Sequence, residues 1–288
     1  MTWSFGASAR RRRHAMVYSD GKWWYDPATN AFGFRTGGQD PLEWVDVTWD
    51  FPGPEEYAEL ASGVEAGWFA KSGEKAMRAA LVTGDPHAVD MAAGQHPQYR
   101  NTADVVAGLL SLSVRRTYAA ELLRRSVAAD FEPRDDPFIK KYLPNAGIVV
   151  PIAPGVAVSL PIMRVSIALT VAELEQAAND HDAAIEVLLM VDRTTHVTLS
   201  LVELLNAVGR FNDTVEISEA TVNADDVTAM ILAYRAIALR EIGRTAEARS
   251  ILDRLIAERG RSTAISTFVS VVNASMEPSG GGSDLPAD

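Results

Sequence analysis

The most constraining feature of this chain is a phrase that it repeats. "EIGRTAEARSILDRL" (residues 241–255) and "AVGRFNDTVEISEAT" (residues 207–221) both place Gly-Arg after an apolar residue and continue with apolar residues at helical spacing. A third version, "VAELEQAANDHDAAIEVLLMV" (residues 171–191), has Asn179 at the equivalent place, so that Asn179, Gly209 and Gly243 stand 30 and 34 residues apart. Each version reads as a helix, a short turn and a second helix. Gly209 and Gly243 allow the positive backbone angle with which many helices end. Asp182 and Glu247 come early in the second helices, where the helix dipole favours acids. One helical hairpin cannot hide both of its apolar faces, so units of this kind must stack to build a core.

The spacing of 34 equals the period of the tetratricopeptide repeat, and residues 164–260 resemble that family. The family wants a small residue inside the first helix, and Ala172, Val202 and Ala236 occupy that place, Val202 as a departure. It wants alanine early in the second helix, where Ala184 and Ala248 fit and Thr214 does not. A large apolar residue comes four positions later; Leu188 and Leu252 comply, whereas Ser218 leaves the second repeat with a weak second helix. The family's tryptophan and closing proline are absent from all three versions. The resemblance implies a mainly α fold, an α-solenoid of stacked helical hairpins in which Leu188 and Leu252 lie between paired helices.

The rest of the chain divides by composition. Residues 1–15 form a basic arm around Arg10 to Arg13, expected to be disordered or to touch an anionic surface. Residues 16–52 alternate apolar and polar residues around Asp20-Gly21 and predict a small, aromatic-rich β segment of short strands. Five of the six tryptophans lie in residues 1–49, among them Trp23, Trp24 and Trp44, as a binding platform or as the rings that so small a sheet needs for burial. Residues 53–131 read as helical, with room for one degenerate repeat at Gly108, Ala120 and Val127. Pro54 with Glu55 and Glu56 opens a helix whose apolar spacing continues through "EEYAELASGVEAGWFA", Asp85-Pro86 opens another, and Thr102 reads as a cap. Residues 132–163 carry too many prolines for a helix and predict an extended or hairpin insertion, turning at Ala153-Pro154-Gly155-Val156 and free to pair with residues 16–52. Residues 164–276 hold the repeats and a final capping helix over residues 262–275; residues 277–288 are expected to be a disordered tail.

Composition narrows the function. The net charge of −11 argues against general nucleic-acid binding, which needs a basic surface. The absence of cysteine excludes disulfides and thiolate chemistry. The basic cluster near the N-terminus is followed by too short an apolar run for a secretory signal, and residues 147–162 contain three prolines where a spanning helix would need about 20 apolar residues, so a cytoplasmic protein without membrane insertion is expected. His14, His87, His96, His181 and His196 show no metal-ligand spacing, and no HExxH, P-loop, GxSxG or dinucleotide fingerprint occurs. Neither a cofactor nor an enzymatic activity is therefore expected.

In the tetratricopeptide family the first helices line a concave groove that holds a peptide. The resemblance places Leu169, Glu173 and Gln176, then His196, Leu199, Glu203 and Asn206, then Met230, Ile237 and Arg240, along that groove. Glu173 and Glu203 occupy equivalent positions, as do Gln176, Asn206 and Arg240. The expectation is a non-enzymatic scaffold binding a protein or peptide partner through Glu173, Gln176, His196, Glu203, Asn206 and Arg240. Leu169, Glu173 and Met230 stand where carboxylate-clamping members need other residues, which argues against that chaperone-type activity. The alternative is an enzyme or ligand-binding module in which residues 16–52 and 132–163 build a site around Trp23, Trp24 and Trp44.

Overall fold

A computed structural model of the chain describes residues 53–153 and 156–259, together with the backbone of four short strands: Ala15–Tyr18 (β1), Trp23–Asp26 (β2), Ala31–Phe34 (β3) and Leu42–Val45 (β4). β2 and β3 pair antiparallel, with Trp23 opposite Phe34. The basic arm, the capping helix over residues 262–275, the tail and the Pro154-Gly155 turn fall outside the described residues. From Pro54 onward the chain is mainly helical, and it divides into two compact units, one ending at Arg193 and the other starting at Thr194.

The first unit opens with Pro54–Ser62 (α1). Pro54 occupies the first helical position, and Gly53 N–H donates to Glu56 Oε1 at 3.4 Å. Ser72–Val82 (α2) turns at Gly84 (φ +69°) into Pro86–Gln95 (α3), which Asp85 caps by accepting from His87 N–H at 2.9 Å. A 3₁₀ turn over Pro97–Tyr99 runs directly into Arg100–Ser111 (α4), and Arg116–Ala128 (α5) comes next. Thr102 is therefore not a cap. The 3₁₀ turn moves the start of α4 forward, and Thr102 is buried in its first turn, donating to Asp136 Oδ2 at 2.9 Å. α4 and α5 approach closely at Gly108, where a Cβ would lie 2.6 Å from Leu123 Cδ2. Asp104, almost buried, accepts from both Arg100 and Arg125 and ties the same two helices together.

Residues 132–163 are not extended throughout. Proline is tolerated in a helix's first turn, and the chain uses it so: a 3₁₀ turn over Pro133–Asp135, then Pro137–Tyr142 (α6), where Asp136 accepts from Phe138 and Ile139 N–H, each at 2.9 Å. Tyr142 is fully buried; its hydroxyl donates to Glu74 Oε1 at 2.7 Å, and Lys141 Nζ reaches the same oxygen at 2.7 Å, fastening α6 to the start of α2. Gly147–Ala153 (β5) and Val156–Pro161 (β6) then form an antiparallel two-stranded sheet of their own, with a bulge between Pro151 and Ala153.

Arg164–Ala177 (α7) and His181–Leu189 (α8) complete this unit, and α7 packs against α5, α8 and β5. Arg164 joins three parts of the fold. Its Nε and Nη2 donate to Val127 O (3.2 and 3.1 Å), Nη2 donates to Met190 O (2.8 Å), and Nη1 pairs with Asp130 (2.6 Å). One guanidinium thus satisfies carbonyls at the C-terminal ends of α5 and α8, where the dipole favours a cation.

The second unit holds two hairpins, Thr195–Ala207 (α9) with Phe211–Ile217 (α10), and Asp226–Glu241 (α11) with Thr245–Arg259 (α12). α11 packs against both helices of the preceding hairpin and against α12. Asp225 caps α11, accepting from Thr228 N–H at 2.8 Å. Ala184, Leu188, Ala248 and Leu252 are all fully buried, as the repeat spacing requires. α10 is short, and Thr214 and Ser218 are buried in it where the pattern wants alanine and a large apolar residue. Ser218 Oγ turns back to Thr214 O at 2.5 Å, beside the Ser218 N–H bond to the same carbonyl at 3.1 Å, and α10 ends one residue earlier.

Candidate interaction surface

The three hairpin turns share one geometry. Asn179, Gly209 and Gly243 all adopt the left-handed backbone, with φ of +63°, +75° and +83°. In each, the turn residue donates to the carbonyl three positions back: Asn179 to Gln176 (2.9 Å), Gly209 to Asn206 (3.1 Å), Gly243 to Arg240 (2.9 Å). The next residue donates five positions back, Asp180 to Glu175, Arg210 to Leu205 and Arg244 to Leu239, each at 2.8 Å. This bond pair is a recurrent way of satisfying the last carbonyls of a helix. Its consequence here is that Gln176, Asn206 and Arg240 occupy one structural position, each lending its carbonyl to the turn.

Side chains at the expected groove positions behave unequally. In the first unit, α7 is buried at every position from Val165 to Ala172, Leu169 included; Glu173 and Gln176 are partly exposed. In the second unit Leu199 and Met230 are buried, whereas His196, Glu203, Asn206, Ile237 and Arg240 are partly exposed. Leu169, Leu199 and Met230 are thus core residues, and only the other members of the set reach solvent.

Several of the polar members also have local duties. Asn206 Nδ2 donates to Val202 O (2.7 Å) and Thr214 Oγ1 (3.2 Å), so this side chain staples α9 to α10; its Oδ1 is buried without a partner among the described residues. Arg240 pairs with the neighbouring Glu241. Glu203 lies near Tyr234 on α11, whose buried hydroxyl is held far above the usual tyrosine range, by burial first and by the Glu203 charge second. His196 is held below the ordinary 6.5 by burial, against the opposing pull of Asp225. The folded state therefore prefers neutral imidazole, and the unfolded chain takes up the proton first as pH falls. This contribution to stability is expected to be complete above about pH 6.5 and to fall as pH drops through the folded-state value. His196→Gln should flatten that fall in urea melts compared at about pH 7 and about pH 5.

The structure adds two residues that the sequence pattern concealed. Trp68 and Phe69 fall in an apparent helical stripe, yet α1 ends at Ser62 with Gly63 as its cap, and both rings stand in the α1–α2 loop, 90% and 96% exposed. The available signal was Gly63 and Gly67, two helix breakers within five residues. The side chains of Trp23, Trp24 and Trp44, the basis of the alternative site, lie outside the described residues. Among the described residues no three of His, Asp and Glu gather as a metal site would need, and no helix is long and apolar enough to cross a membrane. No family model, no curated protein and no solved structure matches the chain.

Proposed function

We propose that this chain is a non-enzymatic interaction scaffold of the cytoplasm. Its hairpins form a tetratricopeptide-like solenoid, and their first helices receive a segment of a partner protein. The observation that carries this reading is the shared turn geometry at Asn179, Gly209 and Gly243. A repeated turn repeats the position of the side chains before it. Gln176, Asn206 and Arg240 recur as hydrogen-bonding groups, and Glu173 and Glu203 recur as carboxylates one turn earlier. Asn206 and Arg240 also have local partners, but the partly exposed Glu173 and Glu203 stand at one repeat position, as groups that read an extended segment would. Two recurring carboxylates favour a partner segment that carries basic residues.

The reading is tested by affinity capture of the tagged chain with mass spectrometry, and then by binding measurements on the recovered partner. Glu173→Lys and Glu203→Lys, made separately, are each expected to weaken binding at least about tenfold, roughly 1.4 kcal/mol. Circular dichroism should remain helical, since partly exposed charges add little to stability. Unchanged affinity in both variants would refute the groove.

A further inference from the structure

The loop between α1 and α2 points to a contact unrelated to the repeats. Trp68 and Phe69 are neighbours in sequence and nearly fully exposed. Large exposed aromatic rings are the side chains that most often anchor interfaces. The loop that carries them is tied down from below. Arg78 Nε donates to Val64 O at 2.6 Å and its Nη2 to Ser62 O at 3.4 Å. Lys75 Nζ donates to Trp68 O at 3.3 Å, and Ala70 N–H closes a turn onto Gly67 O at 2.9 Å. Such a loop holds the backbone beneath the rings, which removes part of the entropy cost of ordering the loop on binding.

The charges around the rings decide the partner. Glu65 precedes the aromatic pair and Lys71 comes after it, and both are exposed. When two identical loops meet about a two-fold axis at right angles to the chain they run in opposite directions, so that Glu65 of one copy faces Lys71 of the other while the rings stack at the centre. The loop is complementary to itself, which is what an isologous interface demands. An anionic bilayer suits it less well, because the chain as a whole carries −11. Burying rings of this size removes about 150–250 Å² each. Four of them bury roughly 600–1,000 Å², which lies at or below the lower limit of a specific interface, about 1,000 Å².

We infer that the Trp68-Phe69 loop is a homodimer contact in which two copies of this chain stack their aromatic pairs about a two-fold axis, framed by Glu65–Lys71 ion pairs. The resulting dimer is weak and concentration-dependent. Sedimentation equilibrium of the full chain tests it, over about 1 µM to 1 mM. The wild-type chain is expected to self-associate in that range, and Trp68→Ser/Phe69→Ser to weaken association at least about tenfold with an unchanged dichroism spectrum, since both positions are solvent-exposed. Glu65→Lys and Lys71→Glu should each weaken association and, combined in one chain, restore it. A chain that stays monomeric at the highest concentration, or a serine variant that associates as well as the wild type, overturns the contact. Failure of the combined charge exchange to restore association overturns the two-fold arrangement.

Discussion

Replacing Leu252 with alanine is expected to remove about 2–5 kcal/mol of stability. Leu252 is fully buried on α12, one turn after Ala248 and one turn before Leu255, which are also fully buried. These three make the apolar stripe of a helix that packs on α11, while Arg249, Asp253 and Arg254 on its other side are exposed. Truncation at this point leaves a cavity between two rigid helices joined by the tight Gly243 turn, so the site can relax only partly. Arg249→Ala, on the exposed side, should change stability by less than about 0.5 kcal/mol. Urea melts of the two variants make the comparison, with the slope unchanged so that the midpoint shift reports stability. A loss well below about 1 kcal/mol for Leu252→Ala would mean that the hairpin register is wrong.

Arg164→Ala is expected to cost about 1.5–3 kcal/mol, the range for hydrogen bonds made by charged groups. The guanidinium ends two helices at once, through Val127 O and Met190 O, and also meets Asp130. Val127 O keeps the bond from Asp130 N–H (3.2 Å), so the loss comes from the forked contacts themselves and from the cation at two helix ends. Arg164→Lys should not rescue the loss, because the three donors of an ammonium all leave from one nitrogen, whereas Arg164 reaches its partners through Nε, Nη1 and Nη2. A lysine variant as stable as the wild type would show that charge alone, acting on the helix ends, suffices.

The repeat itself was legible because its signals are local. Gly209 and Gly243 mark left-handed turns that few other residues tolerate, and Asn179 is among those few. Thr214 and Ser218 announced the short second helix of the middle hairpin, where Ser218 bonds the backbone within one turn and Thr214 accepts from Asn206. The errors arose where the deciding partner is distant in sequence. Thr102 looks like a cap until Asp136, 34 residues away, takes its hydroxyl. Asp136 likewise caps a helix in a stretch whose prolines argue against one. Trp68 and Phe69 obey helical spacing, but spacing cannot show that Arg78 takes the carbonyls of Ser62, at the end of α1, and of Val64, in the loop after it. The same limit applies to the candidate surface. Periodicity put Leu169, Leu199 and Met230 on one face with Glu173 and Glu203, yet it is silent on what lies against that face, and all three apolar residues are buried.

The proposed scaffold would read its partners with the first helices of the hairpins and not with the second. Photo-activatable cross-linking residues at Gln176, Asn206 and Arg240 sample one position on α7, α9 and α11; the same residue at Glu186, Glu216 and Arg249 samples exposed positions on α8, α10 and α12. With the captured partner bound, the scaffold reading predicts cross-links from the first set and none from the second. Cross-links confined to the second set, or to a cross-linker at Trp68, would contradict it.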